Sequence, residues 1–194
     1  MDYRKYILPV IINGCDGTCV LIGNMLVTAG HIVASYENAS VYISGKEYKQ
    51  DMRNVRFIDA NLTNRSDRYD LAVFILDDVE SPLVFADELP TENVELVSYS
   101  YNHIVSKVPG TGVGVFGSLS KESRELERLT GKVRSFYDNY FECELDGELC
   151  EGRSGSPLLD GYKVVGILSG DKDGKSSSRT VLYLSSKAIV ELLK

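Results

Sequence analysis

Three short segments of this chain carry side chains that could act together in nucleophilic chemistry. In Gly152-Arg153-Ser154-Gly155-Ser156-Pro157 a serine stands between glycines, which permit a tight turn that exposes its hydroxyl. Successive amides in such a turn can point into one concavity, so the N–H groups of Gly152 and Ser154 are the expected donors to an oxyanion. A serine hydroxyl needs a base to take its proton. His31, delivered at the end of Met25-Leu26-Val27-Thr28-Ala29-Gly30, is the residue type for that task. Asp70 immediately precedes the wholly apolar run Leu71–Leu76, so its carboxylate lies at the edge of the interior and needs a partner, which an imidazole N–H would supply. Taken singly, each segment also fits a bland role: a structural histidine, a strand-starting aspartate in a turn, an ordinary glycine turn.

The elements that must position these residues are short and β-like. Runs rich in Val, Ile, Leu and Tyr recur between turn residues at Ile7–Ile12, Thr18–Ile22, Met25–Thr28, Val41–Ser44, Val55–Ile58 and Leu71–Leu76. Six strands without helical periodicity between them predict a closed or nearly closed barrel. Across Asp77–Pro90 the pattern weakens into acidic residues and prolines. Strands resume at Val94–Tyr99, Gly112–Phe116, Thr130–Ser135, Tyr140–Glu144, Lys163–Leu168 and Thr180–Leu184, predicting a second barrel of the same size. The chain therefore divides at residues 1–88 and 89–194. Ser185 and Ser186, followed by apolar residues at helical spacing, predict a short C-terminal helix. Lys121–Leu129 is expected as an exposed turn, loop or helical interruption, and Gly110–Gly114 as a glycine-rich hairpin, because it lacks the following helix and acidic partner of a dinucleotide loop.

In this order and at these spacings, Thr28-Ala29-Gly30-His31, Asp70-Leu71-Ala72-Val73 and Gly152-Arg153-Ser154-Gly155-Ser156-Pro157 resemble the three signature blocks of trypsin-like serine proteases. Lys163-Val164-Val165-Gly166-Ile167-Leu168-Ser169-Gly170 is similar to the family strand that lines the substrate cleft, and the resemblance covers nearly the whole chain. It implies an all-β fold of two six-stranded antiparallel barrels packed together, chymotrypsin-like, with a short C-terminal helix. It implies a serine endopeptidase with Ser154 as nucleophile, His31 as general base and Asp70 as the group that orients the imidazole. The chain order His, Asp, Ser is that of this fold and not of others carrying the same triad. Ser169 would hydrogen-bond Asp70. The pocket beside the scissile bond would be formed by Asp146–Glu151, by Ser169, Gly170 and Asp171, and by the strand near Val181. Glu148 then falls where such proteases place an acidic pocket floor, implying a Lys or Arg preference unless Glu148 turns toward Arg153 or Arg179 as an ion pair. The departure is Arg153. Zymogens of the family place there an aspartate that captures a new N-terminal ammonium, so activation by such cleavage is not expected and another contact must hold the oxyanion loop. The competing expectation is a protease-fold binding or scaffold module without activity.

Composition narrows the partners. The 194 residues, 43% hydrophobic and 25% charged, lie near globular averages. A net charge of −7 offers no basic field for nucleic acid or an anionic membrane surface, so a polypeptide substrate is the expected partner. The longest apolar stretches fall well short of the ~20 residues that span a bilayer. The N-terminus lacks a signal-peptide pattern, which makes the cytoplasm the default expectation. Cys15, Cys19, Cys143 and Cys150 are expected as thiols, with a Cys15–Cys19 bridge as the alternative. No cofactor and no metal are expected, because two histidines and four scattered cysteines give no paired ligand spacing. His103 is expected as a solvent-facing or locally bonded side chain, Asp171-Lys172-Asp173-Gly174 as a hairpin turn, and the sequons at Asn38, Asn61 and Asn64 as chance.

Overall fold

The fold was analysed in a computed structural model. It describes residues 2–12, 15–32, 38–43, 46–51, 56–58, 69–76, 78–101, 126–148, 152–171 and 179–194. The expected strand at Gly112–Phe116, the hairpin at Gly110–Gly114, His103, Cys150, the sequons at Asn61 and Asn64, and most of Asp171-Lys172-Asp173-Gly174 lie outside them.

In the first half, β1 (Ile7–Ile12), β2 (Cys15–Ile22), β3 (Met25–Thr28), β6 (Arg56–Ile58) and β7 (Leu71–Ile75) form an antiparallel sheet in the order β1-β2-β3-β7-β6. β4 (Asn38–Ile43) and β5 (Lys46–Asp51) form a separate hairpin beside β1. β5, Lys46-Glu-Tyr-Lys-Gln-Asp51, is too polar to stand out as an apolar run, and its ladder with β4 supplies what hydrophobic patterning does not. In β7, Leu71 and Val73 face one apolar cluster while Ala72 and Phe74 face another, so the run is apolar because both faces are covered.

The second half is a closed antiparallel barrel of six strands: β9 (Glu95–Tyr101), β10 (Leu126–Phe136), β11 (Tyr140–Leu145), β14 (Thr180–Ser185), β13 (Lys163–Asp171) and β12 (Pro157–Asp160), which returns to pair with β9. Two elements differ from expectation. β12 is a four-residue strand whose ladder to both β9 and β13 closes the barrel, and β10 begins at Leu126 inside the presumed loop, where its ladder with β9 holds the polar Glu127 and Arg128 ahead of an alternation that places Leu129, Gly131 and Val133 inward. Within the connector, β8 (Val84–Phe85) adds in parallel to the edge of β13.

Three apolar clusters organise the whole. One fills the first half around Leu21, Leu26 and Phe74, and one fills the barrel around Phe141, Leu158 and Tyr183. The third lies between the halves, joining Ile7, Val20 and Val73 to Tyr140, Ile167 and Leu184. Cys143, buried in the barrel cluster and outside any disulfide, has its thiol pushed up to about 12 by desolvation, and Cys19 donates its thiol hydrogen to the Leu8 carbonyl.

The C-terminal helix α1 (Ser186–Leu192) turns its buried face, Ala188 and Ile189, onto the inter-half cluster. Ser185 caps it, its hydroxyl accepting from the Ala188 N–H at 3.2 Å. Among the described residues no helix is long and apolar enough to cross a membrane. Ser185→Ala removes one of the few partners available to the first turn, so it is expected to lower stability by about 1 kcal/mol, read from the denaturant midpoint.

Candidate active site

β3 ends at Thr28, and a 3₁₀ turn over Gly30–Ile32 carries His31, anchored by the Ile32 side chain in the first-half cluster. The His31 N–H donates to Asp70 Oδ1 at 2.7 Å, and the ring Nδ1 lies 2.8 Å from Asp70 Oδ2. Asp70 thus grips backbone and ring of the same residue, which fixes both the turn and the imidazole plane. Its side chain is only 7% exposed, so every lone pair needs a donor.

The second half supplies the remaining partners. Ser169 Oγ donates to Asp70 Oδ2 at 2.6 Å, and the Asp70 N–H donates to the Tyr140 hydroxyl oxygen at 3.0 Å. Ser169 reaches the carboxylate because the β13–β14 register shifts between Leu168 and Gly170, a bulge that redirects the intervening side chain. Burial alone would raise the Asp70 carboxyl. The His31 ring hydrogen bond and charge, the Ser169 hydroxyl and the His31 N–H outweigh it and hold the group below its ordinary value.

Ser154 sits at a turn where Gly152 has φ 88° and Gly155 φ 84°. A side chain at Gly155 would be strained by that φ and would also place a Cβ 2.1 Å from the Thr18 carbonyl oxygen. The Gly155 N–H donates to the Leu168 carbonyl, and the Arg153 carbonyl accepts from the Ser156 N–H and hydroxyl. Among the described residues no hydrogen bond engages the amides of Gly152 or Ser154, leaving both N–H groups available to an oxyanion.

Thr18, which the sequence reading passed over, ties this turn to the first half. Its N–H donates to the Ser154 carbonyl at 2.9 Å and its hydroxyl to the Gly152 carbonyl at 2.8 Å. The same hydroxyl accepts from the Tyr101 N–H, and the Thr18 carbonyl accepts from the Thr28 hydroxyl at 2.7 Å. The only sequence signal was a hydroxyl residue heading the apolar run Cys19–Ile22 beside Gly17, where a Cβ would lie 2.3 Å from Ile32.

Of the residues expected to line a substrate pocket, Asp171 pairs with Val181 across the β13–β14 ladder, while residues 149–151 lie outside the described residues. Glu148 is exposed rather than enclosed, and its carbonyl accepts from Arg153. Val181 is fully buried in the barrel cluster with Phe141 and Tyr183, so its side chain is not offered to a ligand; its position on β14 alternates it inward. Gly170 and Asp171 continue β13 from Ser169, Gly170 buried and Asp171 half-buried. Among the described residues no three His, Cys, Asp or Glu side chains converge in a way that could hold a metal ion.

Residues 17–167, more than three quarters of the sequence, match the trypsin-like peptidase domain. The chain belongs to the trypsin-like peptidase family. Similar solved structures include the inactive form of the Rv3671c protease of M. tuberculosis, 19% identical with a TM-score of 0.64 over 98% of this chain and 88% of that one. Neuropsin, a serine protease of mouse brain, is 15% identical with a TM-score of 0.66, covering 100% of this chain and 95% of that one. A scabies mite inactivated protease paralogue, S-I1, is 13% identical with a TM-score of 0.68, covering 100% of this chain and 95% of that one. At these identities the likeness establishes the chymotrypsin-like fold. No curated protein matches this peptidase-family chain.

Two outcomes follow from the geometry. Thr18→Val keeps the shape but strips the Gly152 carbonyl of its donor and the buried Tyr101 N–H of its acceptor, so stability is expected to fall by about 1–3 kcal/mol in urea unfolding. Asp70, whose folded value lies below the ordinary carboxyl value, contributes stability that is complete above about pH 4 and lost as pH falls through the lower folded value. Thermal unfolding across pH 2–6 is therefore expected to show the gap between wild type and Asp70→Asn narrowing only below about pH 4.

Proposed function

We propose that this trypsin-like peptidase is a serine endopeptidase that cleaves polypeptides through an acyl-enzyme on Ser154. The observation that carries the proposal is the His31–Asp70 pair, 2.8 Å apart at Nδ1 and Oδ2, on a carboxylate buried and further bound by Ser169. A carboxylate held in its ionised form requires a proton on Nδ1, which leaves Nε2 as the basic nitrogen. That tautomer suits His31 to take the Ser154 proton as the hydroxyl attacks the scissile carbonyl, and then to hand it to the leaving amine.

Charge develops on the carbonyl oxygen during attack. The free amides of Gly152 and Ser154 would receive it, at no cost of reorganisation because the turn is already fixed by Thr18 and Leu168. Asp70 would stabilise the imidazolium formed in the same step. Water then repeats the sequence to release the acid product. Gly170 and Asp171, beyond Ser169 on β13, are the described residues we assign to the substrate chain.

A fluorophosphonate probe is expected to label the folded protein and not Ser154→Ala. Absence of labelling would instead favour a binding module built on the peptidase fold. With a cleavable peptide, Ser154→Ala and His31→Ala are each expected to lower kcat by roughly 10⁴–10⁶-fold, and the double variant to be scarcely worse, because residues acting as one unit are not additive. Strictly multiplicative losses would contradict these roles.

A further inference from the structure

Arg153, immediately before Ser154, is a charged side chain of the turn that is driven inward. It is 7% exposed at its side chain, and its guanidinium reaches under the turn into the end of the six-stranded barrel. There Nη2 lies 2.5 Å from Glu127 Oε2 on β10, and Nη1 donates to the Glu148 carbonyl. Gly147 passes over the group, where a Cβ would stand 3.7 Å from Nη1 and 2.8 Å from Leu129. A guanidinium cannot shed its proton to escape burial, so its position is dictated by the groups that neutralise it.

Geometry links that anchor to the chemistry. Arg153 contributes the carbonyl of the peptide whose N–H belongs to Ser154, and its own N–H belongs to the peptide that follows Gly152. Any rotation about its φ or ψ swings the Ser154 and Gly152 amides relative to each other. The Arg153 carbonyl is held by Ser156, and its side chain by Glu127 and the 148 carbonyl, so both degrees of freedom are tied. Gly152, at φ 88°, has no side chain to do the same.

We propose that the Arg153–Glu127 ion pair is an internal device that positions the oxyanion-binding amides, so that the negative charge it requires comes from β10 of the same chain. Arg153 and Glu127 are positioning residues. They act through the backbone of the nucleophile turn and not on substrate. The inference rests on the serine peptidase reading given above. It predicts a loss in kcat with little change in KM, because the amides act on charge that exists only in the transition state.

The test uses the whole chain and expresses every rate per active site titrated with a fluorophosphonate, which separates folded, reactive enzyme from inactive material. Glu127→Ala is expected to lower kcat by about 10²-fold, the size of effect seen when one oxyanion donor is lost, with KM unchanged within threefold. Glu127→Gln, which keeps an oxygen acceptor without the charge, is expected to fall between wild type and Glu127→Ala. Glu127 is 38% exposed and can be changed without emptying the core, so the test does not depend on whether Arg153→Met folds. Affinity for a peptide boronic acid, which places an oxyanion in the site, is expected to fall in proportion to kcat, while peptide binding to Ser154→Ala and to Ser154→Ala/Glu127→Ala stays equal. Arg134→Gln, which removes the exposed pair with Glu144 on the same strand, serves as control and is expected to leave kcat within twofold. The proposal is overturned if titrated Glu127→Ala keeps wild-type kcat, if the loss appears in KM, or if Arg134→Gln loses as much. A wild-type protein that takes no fluorophosphonate would overturn the peptidase reading itself and, with it, this inference.

Discussion

A buried carboxylate sets the terms for this molecule. Asp70 is placed at the mouth of a strand whose side chains are apolar on both faces, so its charge is withdrawn from water before any catalytic consideration arises. Unpaired, such a charge would cost several kcal/mol or force the group to protonate. It remains ionised because three donors meet it, the ring and amide of His31 and the hydroxyl of Ser169, while its own amide donates to the hydroxyl of Tyr140. Two of these side chains belong to the second half. The electrostatic need of one residue and the docking of the two halves are thus a single constraint.

The apolar cluster between the halves brings the surfaces together, but hydrophobic burial is not directional. Register across the interface comes from the hydrogen bonds. Thr18 uses its amide, hydroxyl and carbonyl to bind Ser154, Gly152, Tyr101 and Thr28, so the strand leading to the histidine and the turn carrying the serine are referenced to the same buried residue. Gly155 is required where these backbones come closest, since any Cβ there would penetrate the Thr18 carbonyl. The Ser154 turn is then held on three sides: by Thr18 from the first half, by Leu168 from β13, and from beneath by Arg153 on Glu127.

Charge is used sparingly within this frame. The exposed pairs Arg4–Asp2 and Arg134–Glu144 are screened by water and contribute little to stability. Asp70 and Arg153 are the described charged residues that the fold buries, one beside His31 and one beside Ser154. Their burial makes the geometry at each point intolerant of small displacements, which is the property a preorganised site needs.

Much of this was legible in the linear chain. Period-two apolar runs and turn residues identify most strands because side-chain burial in a sheet is a local, repeating property, and Ser185 before an apolar helical pattern marks the C-terminal helix for the same reason. His31, Asp70 and Ser154 could be singled out as candidates because strand ends and a glycine-flanked serine are local signals. What local signals lack is partner identity. β5 and β12 are strands by virtue of their ladders, and β8 by its parallel bond to β13, so their own residues do not announce them. Glu148 is exposed at its side chain and Val181 points into the barrel cluster, placements that depend on the fold of the loop and on the alternation of β14 and not on any local motif. Thr18 and Glu127 carry no motif at all. Each matters through a residue more than twenty positions away, Thr18 through Gly152 and Ser154 and Glu127 through Arg153, and only the closing of the barrel and the docking of the halves brings those atoms within hydrogen-bond reach.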